Sequence, residues 1–215
     1  MTNTLNKLGK FNGIDGPLLL IIADGVGVAP HGPANAVALA NTPTLDKLAV
    51  SDWYTELKAH GTAVGLPSDD DMGNSEVGHN ALGAGRIFAQ GAKLVNAAIA
   101  DGSVFESAVW QAACEKTLAG GTLHLLGLHS DGNVHSHNDH MYALLKQAAQ
   151  RGIKRARLHL LLDGRDVPPR SALDYIDTTE TVLEKINQQF HADYRIASGG
   201  GRMRITMDRY QADWD

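Results

Sequence analysis

The stretch "TLHLLGLHSDGNVHSHNDHMYALLKQAAQRGIKRARLHLLLD" (Thr122–Asp163) decides the fold. It opens on an apolar run of strand length, Thr122 to Leu128, and closes on another, Ala156 to Asp163. Between them, "SHNDHMYALLKQAAQRG" repeats its apolar residues at helical spacing. Strand, helix, strand in that order predicts a parallel unit. The pattern continues downstream, with a long helix over "SALDYIDTTETVLEKINQQF" and a third strand over "YRIAS" (Tyr194–Ser198). A β-α-β-α-β order of this kind predicts a mainly parallel sheet.

Upstream, "QGAKLVNAAIADG" and "ESAVWQAACEKTLAGG" read as helices, the second closed by Gly120 and Gly121. "MGNSEVGHNALGAGR" starts a helix near Ser75, and "TPTLDKLAVS" starts a short one with Thr42 or Thr44 as its cap. "LLLII" (Leu18–Ile22) reads as a buried parallel strand with Asp24 at its carboxyl end.

The composition bounds the function classes. The 215 residues are enough for one large or two small domains. With 43% hydrophobic and 20% charged residues, the chain reads as globular rather than disordered. A net charge of −5 gives no footprint for nucleic acid. The basic run "RGIKRAR" (Arg151–Arg157) reads as a solvated helix end. The one cysteine, Cys114, lies on an amphipathic pattern and reads as a buried thiol. The N-terminal stretch does not read as a signal peptide and no apolar run spans a membrane, so a cytoplasmic protein is expected, without nucleic acid or membrane partners.

Four polar clusters follow four strand ends, where open α/β sheets bind ligands. Asp24 either caps its loop or serves as a hard-metal ligand. Ser75 either caps its helix or is a nucleophile presented where backbone dipoles favour a phosphate. In "HSDGNVHSHNDH", His135 is a candidate for anion binding or proton transfer. The spacing of His135, His137 and His140 is not read as zinc, and His124 is read as structural. In "DGRDVPPR", Arg165 and Asp166 form either an ion-paired loop or a site in which Arg165 takes an anion and Asp166 accepts hydroxyl protons. In "GGGRMRITMDR", the glycines allow a close backbone approach. Arg202, Arg204 and Arg209 after them are either a solvated face or an anion clamp. No nucleotide-binding motif is present.

"LLIIADGVG", "MGNSEVGHNALGAGR", "SDGNVHSHNDH", "LDGRDVPPRSA" and "GGGRMRITMDR" occur in the order found in the cofactor-independent (2,3-bisphosphoglycerate-independent) phosphoglycerate mutases, and the chain resembles that family from about Asp15 onward. The resemblance implies an α/β protein. Residues 1–88 would be the N-terminal part of an alkaline-phosphatase-like, metal-dependent phosphatase domain. Residues 89–215 would be the start of an inserted phosphotransferase domain with a mainly parallel sheet.

The resemblance further implies two divalent metal ions, manganese first, with cobalt, magnesium and zinc as alternatives, and no bisphosphoglycerate. Asp24 and Ser75 would be metal ligands, Ser75 also the nucleophile. His135, Arg165, Asp166, Arg202 and Arg209 would bind substrate, Asp166 also acting as a base kept ionised by Arg165. The reaction would interconvert 3-phosphoglycerate and 2-phosphoglycerate through a phosphoserine, in a monomer. Val26 stands where the family's first motif usually carries Trp, and Arg209 lies one residue further from Arg202 than in many members, which leaves Arg204 as a rival. Members are about twice as long or more, so this chain is expected to be inactive alone. Two other readings compete: a phosphatase or phosphotransferase of the alkaline-phosphatase superfamily, and a non-catalytic anion-binding module. "DGRDVPP" and the His135 loop favour the mutase family over the first.

Overall fold

The computed structural model describes residues 9–10, 12–23 and 26–207. Three parallel strands, β1 (Leu123–His129), β2 (Arg155–Leu162) and β3 (Asp193–Gly201), form a sheet in the order β1-β2-β3. β1 pairs with β2 from Leu123↔Ala156 to His129↔Leu162. β2 pairs with β3 from Arg155↔Asp193 to Leu162↔Gly201, with a register shift between Leu158 and His159. The third strand runs past the expected Ser198, so Gly199–Gly201 belong to the sheet and not to a turn beyond it. A short π-helical turn, Met203–Met207, follows at once.

The crossovers are α6 (Asn138–Gln150) and α7 (Ala172–Phe190). Both connections step the same way along the sheet, and their right-handedness puts both helices on one face. The burial follows: Ala156, Leu158 and Leu160 alternate inward along β2 and are at most 3% exposed. They meet Leu145, Ala148 and Ala149 of α6 and Leu183 and Ile186 of α7, residues spaced to line one helical stripe. α5 (Ala108–Leu118) adds Trp110 and Cys114 to the same core, and the cysteine is buried as expected. The N-cap of α5 is Ser107, whose Oγ accepts from the Trp110 amide at 3.3 Å. α4 (Gly91–Ala100) precedes it.

The basic run Arg151–Arg157 is not a solvated helix end. Arg151 donates to Gln111 Oε1 and to the Phe105 carbonyl, Arg155 to the Gly120 carbonyl, and Arg157 to the Asp193 carboxylate at 2.7 Å. These guanidiniums tie loop carbonyls and strand ends together, a use that a count of charges does not show.

The chain divides into two units, one up to Glu56 and one from Leu57 onward, which holds the sheet. The first contains α1 (Ala36–Leu39) and α2 (Pro43–Ala49); of the two expected candidates Thr42 takes the N-cap position of α2, but its hydroxyl donates to Asp46 Oδ1 and makes no capping bond to the backbone. Leu18–Ile22 is a correction. No strand forms there, and Leu18 and Leu19 are each 79% exposed. A strand exists only through ladder partners, and no described residue pairs with this run. Its β-like composition is real; the neighbour that would make it a strand is not supplied by the described residues. No helix among them is long and apolar enough to cross a membrane.

Tyr194 joins β3 to the core. Its hydroxyl donates to the Ile153 carbonyl at 2.9 Å, and the side chain of Asn187 on α7 brackets its backbone N–H and C=O. Burial, with a smaller contribution from the Cys114 thiol, pushes its pKa up to about 12. The folded state therefore holds this proton more tightly than the unfolded state. The stability so gained is complete below about pH 10 and lost as pH rises through the folded value. Tyr194→Phe should cost about 1 kcal/mol near neutrality, measured by urea unfolding. It should also flatten the alkaline fall in stability between about pH 10 and about pH 12. An equal alkaline fall in both proteins would refute the assignment.

Candidate functional site

The loop after β1 is held by its own ends. The Asn138 amide donates to the Ser130 carbonyl at 2.8 Å, and Asn138 Oδ1 accepts from the Ser130 amide at 2.9 Å. His137 caps α6, with Nδ1 accepting from the Asp139 amide at 3.2 Å, and His140 Nε2 meets Asn96 Oδ1 at 2.6 Å. Both rings thus have structural partners. His135, in contrast, points its Nε2 to within 3.9 Å of Asp166 Oδ2, with its side chain 56% exposed. Gly132 passes so close that a Cβ there would sit 2.8 Å from the Asp166 carbonyl oxygen, so the first loop rests on the second.

The loop after β2 is organised by Asp163, the last residue of the opening stretch. Its Oδ1 accepts from the amides of Gly164, Arg165 and Asp166 at 2.9, 3.0 and 3.1 Å. It also accepts from Arg202 Nη1 at 3.0 Å, and the same Nη1 meets Asp166 Oδ2 at 2.5 Å. Burial alone would raise the pKa of Asp163. Hydrogen bonds from Ser130, the Arg165 and Asp166 amides and Arg202 outweigh it and hold the pKa below the usual carboxylate value. For Arg202, burial opposes the charge, and the carboxylates of Asp166 and Asp163 outweigh it and raise the pKa.

Arg202, His135 and Asp166 therefore come together at the carboxyl ends of the strands. The expected partnership changes, however: the cation on Asp166 is Arg202, 36 residues on in sequence, not its neighbour Arg165. Arg165 Nη1 points instead to Met207 Sδ at 3.4 Å. Arg204 lies in the π-helical turn. Asp24 and Arg209 lie outside the described residues.

Ser75 is the first residue of α3 (Ser75–Ala84) and is exposed. It is not the cap. That position is taken by Asn74, whose Oδ1 accepts from the Val77 amide at 3.1 Å, which leaves the serine hydroxyl free of capping duty. His79, one turn on, brings Nδ1 within 2.7 Å of the Ser75 carbonyl and 3.1 Å of its Oγ. A carbonyl only accepts, so Nδ1 carries the proton and cannot take one from the serine. Gly73 is required just before it, since a Cβ would overlap the Ala59 carbonyl oxygen.

One contact links this segment to the loop after β1. Asn133 Nδ2 donates to Asp71 Oδ1 at 2.5 Å, while Asp71 Oδ2 accepts from the Ser68 amide and hydroxyl. Asn133 holds the left-handed backbone, φ 56°, to make this reach. Asp163, Asp71, Asn133 and Asn138 were not singled out in the sequence. The available signal for Asp163 was an acid closing an apolar strand.

Among the described residues, no three His, Cys, Asp or Glu gather to hold a metal ion. Asp24 and Ser75 supply oxygen suited to a hard cation, but two such ligands are too few, so the expected metals do not fit these residues alone.

A family model described as BPG-independent PGAM N-terminus (iPGM_N) matches residues 95–215. The chain belongs to this phosphoglycerate mutase family. It is 56% identical over 200 residues to a probable 2,3-bisphosphoglycerate-independent phosphoglycerate mutase of Leptospira interrogans, covering 92% of this chain and 36% of the relative. It is 52% identical over 199 residues to the 2,3-bisphosphoglycerate-independent phosphoglycerate mutase of Zea mays, covering 91% and 35%. A crystal structure of Leishmania mexicana phosphoglycerate mutase at low cobalt concentration superposes with a TM-score of 0.78 at 48% identity, over 90% of this chain and 35% of that one. The chain thus spans about a third of the length of these mutases.

Within this mutase-family chain the Asn133 backbone makes a separable prediction. Asn133→Gly and Asn133→Ala both lose the Asp71 contact, but only Ala must also adopt the left-handed conformation. The Ala variant should be less stable than the Gly variant by about 1 kcal/mol in thermal or urea unfolding. The reverse order would show that the backbone there is not left-handed.

Proposed function

We propose that the complete protein interconverts 3-phosphoglycerate and 2-phosphoglycerate through a phosphoserine at Ser75. The observation that carries this reading is the convergence of Arg202, Asp166 and His135 on strand ends, in a loop cluster joined through Asn133–Asp71 to the lead-in of the Ser75 helix. The names of the related proteins support the same substrates.

In this reading Ser75 Oγ attacks phosphorus, forming the Ser–O–P bond as the ester bond to glycerate breaks. The proton given up by the Ser75 hydroxyl is balanced by one taken up by the released glycerate oxygen. Glycerate turns, and its other hydroxyl attacks the phosphoserine, losing its proton to Asp166 as the Ser–O–P bond breaks; that proton is passed on as Ser75 Oγ takes one back, which restores both residues. The α3 amides face the phosphoryl group. Arg202, and Arg209 with it, hold an anionic group of the substrate, and Arg165 and His135 complete that clamp. Divalent ions, when bound, would lower the serine hydroxyl pKa and offset phosphoryl charge, with Asp24 and Ser75 as this chain's contribution to holding them. Manganese, a phosphatase domain including residues 1–88, a transferase domain from 89 onward, and a cytoplasmic monomer complete the proposal.

The test uses the complete protein. Ser75→Ala should leave no labelled phosphate trapped on the protein, and label appearing at another residue would refute the nucleophile. Asp166→Asn should lose mutase activity by about 10²–10⁴-fold, the scale of a general base, yet still hydrolyse p-nitrophenyl phosphate, which has no glycerate hydroxyl to deprotonate and whose p-nitrophenolate leaves without a proton. A variant with normal mutase rates would remove Asp166 from the mechanism.

A further inference from the structure

Asp163 stands apart from the residues that would touch substrate. Its side chain is fully buried. Yet one of its oxygens accepts from three successive loop amides and from Arg202. The amides belong to the turn that presents Arg165 and Asp166. The guanidinium comes from the segment after β3, 39 residues away. The distance between Asp166 and Arg202 is therefore set through a third group to which both are bound.

We propose that Asp163 is a positioning residue for phosphoglycerate binding: a single buried oxygen keys the Arg165–Asp166 turn to the Arg202 guanidinium, fixing the two halves of the anion clamp. The proposal rests on the reading given above. A simple ion pair between Asp166 and Arg202 would open whenever substrate carboxylate or phosphate competed for the guanidinium. Asp163 competes for no substrate group, because it is inaccessible, and so Arg202 keeps its aim while its other nitrogens engage the ligand. An arginine fixed at one nitrogen retains the planar fork that bidentate recognition uses.

The experiment compares Asp163→Asn with wild type in the complete protein. Asparagine keeps an oxygen for the three amides, so the turn remains, but the charge that holds Arg202 is gone. Mutase kcat/KM should fall by about tenfold or more, with the loss mainly in KM, as expected for lost ground-state positioning. Hydrolysis of p-nitrophenyl phosphate at Ser75 should stay within about twofold. In an Arg202→Lys background the same substitution should add less than about twofold, because its effect runs through Arg202. Mutase activity within about twofold of wild type, equal loss of both activities, or full additivity with Arg202→Lys would each overturn the proposal.

Should the Asn variant not fold, a wild-type substrate complex decides. Arg202 still bonded to Asp163 supports the proposal, and Arg202 turned away from it overturns it. Failure of the underlying reading looks different: wild type itself would show no mutase turnover.

Discussion

Everything in the described site hangs from the hydrogen-bonded ladder of β2. It is the central strand, paired along both edges, and its inward residues Ala156, Leu158 and Leu160 are the floor on which α6 and α7 lie. Because parallel strands share a direction, their carboxyl ends fall on one edge. The polar segments that follow β1, β2 and β3 therefore meet without any interaction having to pull them together. Asp163, one residue past the end of β2, converts that rough convergence into distances of hydrogen-bond accuracy.

The loops are rigid for reasons distributed over short-range chemistry. Ser130 and Asn138 close one loop by a reciprocal pair of bonds, and Asp163 closes the next by three amides on one oxygen. Gly132 then lets the two closed loops stack. The serine segment is built in the same manner, with Asn74 as cap and Gly73 where no side chain fits. In each case small polar residues replace water around the backbone, so that the exposed His135 and Ser75 and the half-buried Asp166 need not stabilise their own loops.

The periodicity of the chain made the sheet, α5, α6 and α7 legible, because alternation and helical spacing record burial directly. It misled at Leu18–Ile22, where the same apolar signal has no ladder partner among the described residues, and at Gly199–Gly201, which look like a turn but pair with Leu160–Leu162. The positions of His135, Asp166 and Arg202 were legible as strand-end clusters. Their pairing was not. Adjacency suggested that Arg165 serves Asp166, whereas the sheet brings in Arg202 from beyond the next helix and strand. The Asn133–Asp71 contact spans 62 residues and depends on a left-handed backbone, and neither property leaves a trace in local sequence.

Arg202 carries an evolutionary consequence of its buried partner. Asp163 has no access to water, and removing the guanidinium would strand a carboxylate in the interior. A substitution of this arginine would therefore also weaken the fold. Descendants of this sequence cannot change position 202 by single steps without that loss; they must change Asp163 first or together with it. The carboxyl-end edge of the sheet is thus closed to gradual drift, and diversification of the lineage should be sought in the outer face of the crossover helices, where side chains answer to packing and solvent alone.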